Sequence, residues 1–485
     1  MSARILFTRY ILLIFLHHCA ALLSAQNAMK GNDIICGINS DNSKEICRQV
    51  RENILRLKEA GKIVFAAKDK QDINSRLQST LAAASPIRFK WPLRSRNPEE
   101  YAYLGGKNFV DLDTTYSVNG NGDTIRNMKD YNGGDHTYNG HNGMDIMVGP
   151  YWWERQKNNE VYAIAAAPGI IVDKRDGGFD GNCSWSNPPW VGVSGSGNFV
   201  AILHADDSTV SYYKHLKNGS VTDKEEGEYV DTGEILGVIA SSGRSTGPHL
   251  HFEIHVGWSD PVNPDGRLVE PFYGPYNYTT GASLWDDQKP YIEPAIMGME
   301  THRANNSTDY PNFYGSSCDS TVDLSSLWNF FGPGSWFVAK TFFRDWVDGS
   351  TISCYIEDPN GTLHDVWPVS NDSLYRFAYH RRMVQVPQNP VHGTWKYNVA
   401  FNGKTYTHYF IVGSCVTNLN TSATHTGNRG YIVSNSIVST ATISGSSSNN
   451  VQYKADNFVQ LNPGFTATAG CTFLANTKGC ANGIQ

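Results

Sequence analysis

A chain of 485 residues exceeds what one hydrophobic core organises and asks for several domains. Its net charge of -6, with no lysine or arginine run, excludes the electrostatic footprint of a nucleic-acid binder. Abundant tyrosine, tryptophan and glycine with only 18% charged residues suit a secreted, mainly β, multidomain protein with aromatic-lined grooves.

Residues 1–25 read as an export signal. Arg4 and Arg9 form a basic start, Ile11 to Leu16 an apolar run, and Ser24-Ala25 precedes Gln26. His17-His18 cut that run short of a bilayer's thickness, and no other stretch is apolar for long enough to integrate into a membrane. Loss of Cys19 with the signal leaves eight of the nine cysteines, an even number suited to disulfides in an oxidising compartment. Cys36 with Cys47 and Cys471 with Cys480 are near enough in sequence to pair. Residues 26–85 form a short helical segment. Asn42 and Glu45 have capping-box spacing, and Ile46, Val50, Ile54 and Leu57 recur at the helical period up to Gly61. A second amphipathic stretch spans Asp69 to Ala84. The segment is read as a helical hairpin packed on the next domain, or as a pro-region over its site.

The next domain, residues 86–290, carries the chemistry. Tyr138-Asn139-Gly140-His141-Asn142-Gly143-Met144-Asp145 holds His-x-x-x-Asp on a glycine-rich loop leading into a strand at Ile146-Met147-Val148. Val161 to Ala167 and Ile170 to Asp173 read as strands around Pro168-Gly169. Asn198 to Ala205 and Thr209 to Leu216 read as a hairpin whose second strand shows Ser211, Tyr213 and His215 on one face. Asp176 to Gly197, with Cys183, Trp185 and Trp190, is a long insertion, read as a groove wall or as a surface cap. Gly247-Pro248-His249-Leu250-His251-Phe252-Glu253-Ile254-His255 then alternates, with Leu250, Phe252 and Ile254 on one side and four ionisable residues on the other. Such a face is costly to bury without a cation, and two imidazoles two residues apart on a strand suit zinc. A catalytic zinc takes three protein ligands and keeps a position open. His136, His204 and His255 are set aside as structural.

His141-x-Gly143-x-Asp145, Tyr213-Lys214-His215-Leu216 and Thr246-Gly247-Pro248-His249-Leu250-His251-Phe252-Glu253 together resemble the lysostaphin/LytM-type zinc metallopeptidases. Phe89-Lys90-Trp91-Pro92, Val110-Asp111 and Asp130-Tyr131-Asn132-Gly133 extend the resemblance. It implies an antiparallel-β zinc peptidase domain with His141, Asp145 and His251 as Zn2+ ligands. His249 and His215 would flank the catalytic water, His249 being the preferred base and His215 its partner, with the roles exchangeable. Glu253 would support a ligand imidazole. Peptidoglycan stems or cross-bridges would be the substrate. Two other readings remain at this point: a secreted proteinase acting on glycine-rich proteins outside the wall, and a non-catalytic wall-binding or activator protein.

After a connection over Gln288 to Ser317, residues 310–415 show short alternating runs. Asn402-Gly403 joins Thr394 to Phe401 with Lys404 to Val412, the pattern of an immunoglobulin-like β-sandwich. Val416 to Gly430 is polar and reads as a linker. Residues 430–485 alternate very short strands with small residues, as stacked rungs of a β-solenoid do, and resemble coathanger-stack modules. These C-terminal modules are expected to attach the protein to a wall or cell surface.

Overall fold

The computed structural model describes residues 41–65, 68–71, 87–96, 104–120, 124–183, 195–257, 267–308, 328–413, 415–425, 429–444, 450–468, 471–477 and 479. The expected signal, the stretch after Gln71 in the helical segment, and Trp185 and Trp190 of the insertion lie outside them. The chain divides into two compact units between Tyr291 and Ile292. Both are built mainly of strands. No helix among the described residues is long and apolar enough to cross a membrane.

In the N-terminal unit, an eight-stranded sheet runs Tyr229–Val230, Gly169–Arg175, Asn198–His204, Val210–Leu216, His249–Val256, Met144–Val148 and Leu104–Asn108. Arg267–Val269 also pairs with the His249–Val256 strand. The strands on either side of Pro168-Gly169 do not form a hairpin. Val161–Ile164 belongs to a separate small sheet with Leu93–Ser95 and Ile235–Val238. Leu250, Phe252 and Ile254 face a core shared with Val200, Ile202 and Tyr213. The opposite face carries His251, Glu253 and His255, opposed across strands by Lys214, Tyr212 and Val210.

That second face is partly covered by the helix Asp41–Glu59. Ile46, Val50, Ile54 and Leu57 form its buried stripe and pack on Val172, Phe199, Leu203 and Tyr212, beside the histidine-bearing strand. Lys58 pairs with Asp207, and Arg56 with Glu226, at the rim. The side chains at Asn42 and Glu45 lie outside the described residues. Leu57 is fully buried, and its truncation to alanine is expected to cost about 2–5 kcal/mol. A melting temperature unchanged in Leu57→Ala would show that the helix is not part of this unit's core.

The C-terminal unit pairs a three-stranded sheet with a five-stranded one. Ala295–Ala304, Trp336–Trp346 and Tyr375–Gln385 form the first. Phe330–Phe331, Lys404–Val412, Gly393–Phe401, Thr351–Glu357 and Leu363–Ser370 form the second. Asn402 and Gly403 take positive φ of 49° and 73°, as a tight hairpin requires. The connection expected over Gln288 to Ser317 is partly a ten-residue strand, Ala295–Ala304, aligned along Trp336–Trp346. The linker reading of Val416 to Gly430 is likewise corrected. Val416–Thr421 is a strand that pairs in parallel with Arg429–Ser439, which in turn pairs in parallel with Asn450–Ala455. Thr472–Asn476 follows in the same sense. In such rungs few residues point inward, here Leu419 toward Ile437 and Tyr453, so a polar sequence still builds one. Cys354 is a buried free thiol, pushed up to about 12 by burial, so the even cysteine count does not mean complete pairing. Cys36 and Cys480 lie outside the described residues.

Candidate active site

Three elements converge. The strand Met144–Val148 starts two residues earlier than its sequence suggested and sets Asp145 directly opposite His251 on the His249–Val256 strand. The loop before it is fixed by a buried carboxylate: Asp111 accepts from the amides of Lys129 and Gly140 at 3.0 and 2.9 Å. Gly140 turns at φ 79°, and the amide of His141 donates to the carbonyl of Tyr138 at 3.0 Å. Asp130 fixes the other end of this loop through the amides of Asn132, Gly134 and His136 and the hydroxyl of Tyr291.

His215 arrives by a device that the sequence did not reveal. Strand pairing moves from Asn198 opposite Leu216 to Val200 opposite Tyr213, so Lys214 and His215 together face one partner residue. This is a β-bulge, and His215 sits in it at φ 66°. Alternation breaks there. Tyr213 stays in the core, whereas His215 joins His249 and His251, with ring centroids 4.8 and 5.5 Å away. The expectation that Ser211, Tyr213 and His215 share a face fails at His215. A left-handed conformation at a non-glycine residue is sparsely populated and concentrates at functional sites.

His141, Asp145 and His251 each offer a ligand atom within 4.8 Å of the others, and so do His215, His249 and His251. Asp145 Oδ1 lies 3.1 Å from His141 Nε2, 3.4 Å from His249 Nε2 and 2.7 Å from His251 Nδ1. Backbone carbonyls fix three of the tautomers, because a carbonyl only accepts. His141 Nδ1 donates to Phe109, His215 Nδ1 to Ser242 and His249 Nδ1 to Gly247, each at 2.7 Å. Each Nε2 therefore presents a lone pair. His141 Nε2 is buried with no hydrogen-bond partner, an arrangement that suits a cation. His251 Nε2 meets Glu253 Oε1 at 2.7 Å, which leaves its Nδ1 for the same centre. Two imidazoles and one carboxylate fit zinc, with His141, Asp145 and His251 as the residues that would hold it.

Electrostatics agree with these geometries. Burial raises the Asp145 carboxyl, but His141 and His249 outweigh it and hold the group well below the usual range. Burial above all keeps His215 well below its ordinary value and therefore neutral. Glu253 is also held low against burial, by Lys214 at 2.5 Å and by His251 and His255. His255 thus holds Glu253. His204 bonds Ser211 and the Pro168 carbonyl, and His136 stacks on Tyr291. Neither belongs to the cluster.

Behind His251 there is no room. A Cβ at Gly143 would meet His251 Nε2 at 2.5 Å and Cε1 at 2.7 Å. Gly143→Ala must displace this imidazole and is expected to weaken zinc binding about 10–100-fold, the range seen when a ligand's support is lost. Wild-type affinity in a chelator competition would contradict that packing.

The insertion's described ends also reach this region. Asn182 Nδ2 donates to the Gly243 carbonyl at 2.7 Å, and the amide of Asn198, the first residue after the insertion, donates to Ser242 Oγ at 2.9 Å. They brace the turn whose Ser242 carbonyl holds His215.

Residues 139–264 match the sequence profile of peptidase family M23. The DD-carboxypeptidase/endopeptidase Mpg of Neisseria meningitidis serogroup B (strain ATCC BAA-335 / MC58) is 46% identical over 70 residues, which are 14% of this chain and 15% of that protein. The peptidoglycan DD-endopeptidase ShyC of Vibrio cholerae is 39% identical over 75 residues, 16% of each chain. The alignments thus span only about a sixth of these relatives. The solved catalytic domain of lysostaphin from Staphylococcus simulans is 24% identical, aligned over 32% of this chain and 81% of its own, with a TM-score of 0.19. The chain therefore carries a peptidase domain of family M23, at residues 139–264.

Proposed function

We propose that this chain is an exported zinc metalloendopeptidase that hydrolyses peptide bonds in peptidoglycan stems or cross-bridges. One observation carries the reading: His141, Asp145 and His251 converge on one point while the lone pairs of His215 and His249 face the same space. Zinc, when bound, supplies a Lewis acid for the scissile carbonyl and lowers the pKa of a coordinated water to about 7. His249 Nε2 is placed to take a proton from the attacking water and, once protonated, to return it to the leaving amine. His215, neutral and accepting only at Nε2, orients that water through its second hydrogen. The Gly247 and Ser242 carbonyls hold the two rings for these tasks.

The substrate reading is supported by the similarity to a DD-carboxypeptidase/endopeptidase and to a peptidoglycan DD-endopeptidase. A wall substrate places the protein outside the cytoplasm, in keeping with the export signal read in residues 1–25. Mass spectrometry of the fragments from purified peptidoglycan, incubated with and without chelator, tests the reading. New peptide termini within stems or cross-bridges are expected, and an intact polymer beside cleaved glycine-rich protein would transfer the function to non-wall substrates.

The C-terminal unit is read as the wall- or surface-attachment part, because the five residues assigned to chemistry all lie between His141 and His251. A chain ending at Tyr291 is expected to cleave a soluble peptide at the full-length rate and to lose retention on insoluble walls, since tethering acts through effective concentration. Equal retention of both proteins in a wall pull-down would remove that role.

A further inference from the structure

Tyr138 touches two of the three residues that would hold zinc. Its hydroxyl donates to Asp145 Oδ2 at 2.9 Å, and its ring stacks on His141 with centroids 4.2 Å apart and planes 25° from parallel. The turn that closes from His141 N to Tyr138 O folds the ring back over the imidazole. The two oxygens of Asp145 are thereby unlike. Oδ1 faces the imidazoles of His141, His249 and His251, and Oδ2 faces a phenol. A carboxylate with both oxygens free can bind a cation through either or both, and two-oxygen binding would use the open position that a catalytic zinc needs. A fixed donor on one oxygen opposes that outcome.

We propose that Tyr138 is a positioning residue that confines Asp145 to ligation through Oδ1 and so keeps one coordination position open for water and substrate. The proposal rests on His141, Asp145 and His251 being the ligands. It needs both parts of the side chain, the hydroxyl for Asp145 and the ring for the seating of His141.

Tyr138→Phe separates these parts, because it keeps the stacked ring and removes only the donor. Purified full-length protein with cobalt(II) in place of zinc gives a readout independent of turnover, since visible bands weaken as coordination rises from four to five. The wild type should show intense four-coordinate bands, and the Phe variant weaker ones. Its zinc dissociation constant should rise about 10–100-fold in competition with a chromophoric chelator, and kcat should fall at unchanged KM. A Phe variant with the wild-type cobalt spectrum and zinc affinity overturns the proposal. If its kcat nevertheless falls, the hydroxyl serves the substrate and not Asp145. A metal-free Phe variant that melts far below metal-free wild type also overturns it, because Tyr138 would then be holding the fold. A wild type that binds no cobalt tightly contradicts the ligand reading itself, and that outcome is distinct from a failure at Tyr138.

Discussion

Asp145→Ala is expected to lose bound zinc and peptide hydrolysis together, and His251→Ala to do the same. Asp145 is buried and, among the described residues, is the one carboxylate whose oxygen reaches His141, His249 and His251 together, so its removal takes the anionic ligand from their centre. His251 is held at Nε2 by Glu253 at 2.7 Å, which turns its Nδ1 to the centre where Asp145 Oδ1 lies 2.7 Å away. Its removal also strands Glu253 beside Lys214 and His255. The loss of affinity should exceed the roughly 10–100-fold that removing a ligand's hydrogen-bonding support costs. Metal content after dialysis, by emission spectroscopy, decides the matter. Stoichiometric zinc in both variants would mean that the metal sits elsewhere, for example on His215 and His249.

His249→Ala and His215→Ala are expected to behave differently, retaining zinc while turnover falls about 10²–10⁴-fold, the usual contribution of a positioned acid–base group. Each ring is fixed at Nδ1 by a backbone carbonyl and directs its other nitrogen at the cluster, so alanine removes a lone pair and leaves His141, Asp145 and His251 intact. With His249 as the base, its variant should suffer the larger fall in kcat. Near-normal kcat in His249→Ala would pass the base role to His215. Alanine keeps the Cβ and with it the strain of a φ of 66°, whereas His215→Gly should relieve it. A rise in apo stability alongside lost activity would mark His215 as a functional and not a structural residue.

The part of this account that was legible in the sequence is the part written in side-chain period. Leu250, Phe252 and Ile254 against His249, His251, Glu253 and His255 is a two-residue alternation, and the strand keeps it. Helical spacing of Ile46, Val50, Ile54 and Leu57 likewise gave the helix Asp41–Glu59. What stayed hidden was backbone geometry without a residue signature. The bulge that turns His215 toward the site occurs at a histidine, where glycine would have signalled a positive φ. The carbonyls of Phe109, Ser242 and Gly247, which set three tautomers, belong to no motif. Tyr138 lies in the glycine-rich loop that carries His141, yet its bond to Asp145 depends on a turn closing at Gly140. In the C-terminal unit, Val416–Thr421 looked like a linker because a parallel rung needs one inward Leu419 where an antiparallel strand shows an apolar row. Ala295–Ala304 was obscured by the proline and asparagine on either side of it.

The most direct test is the rate of peptidoglycan hydrolysis by the purified full-length protein, followed through removal of metal by a zinc chelator and its return by titration. The account predicts that hydrolysis stops in the metal-free protein and recovers in full at about one equivalent of zinc, as a single catalytic site requires. Hydrolysis that continues at its original rate in metal-free protein would contradict it.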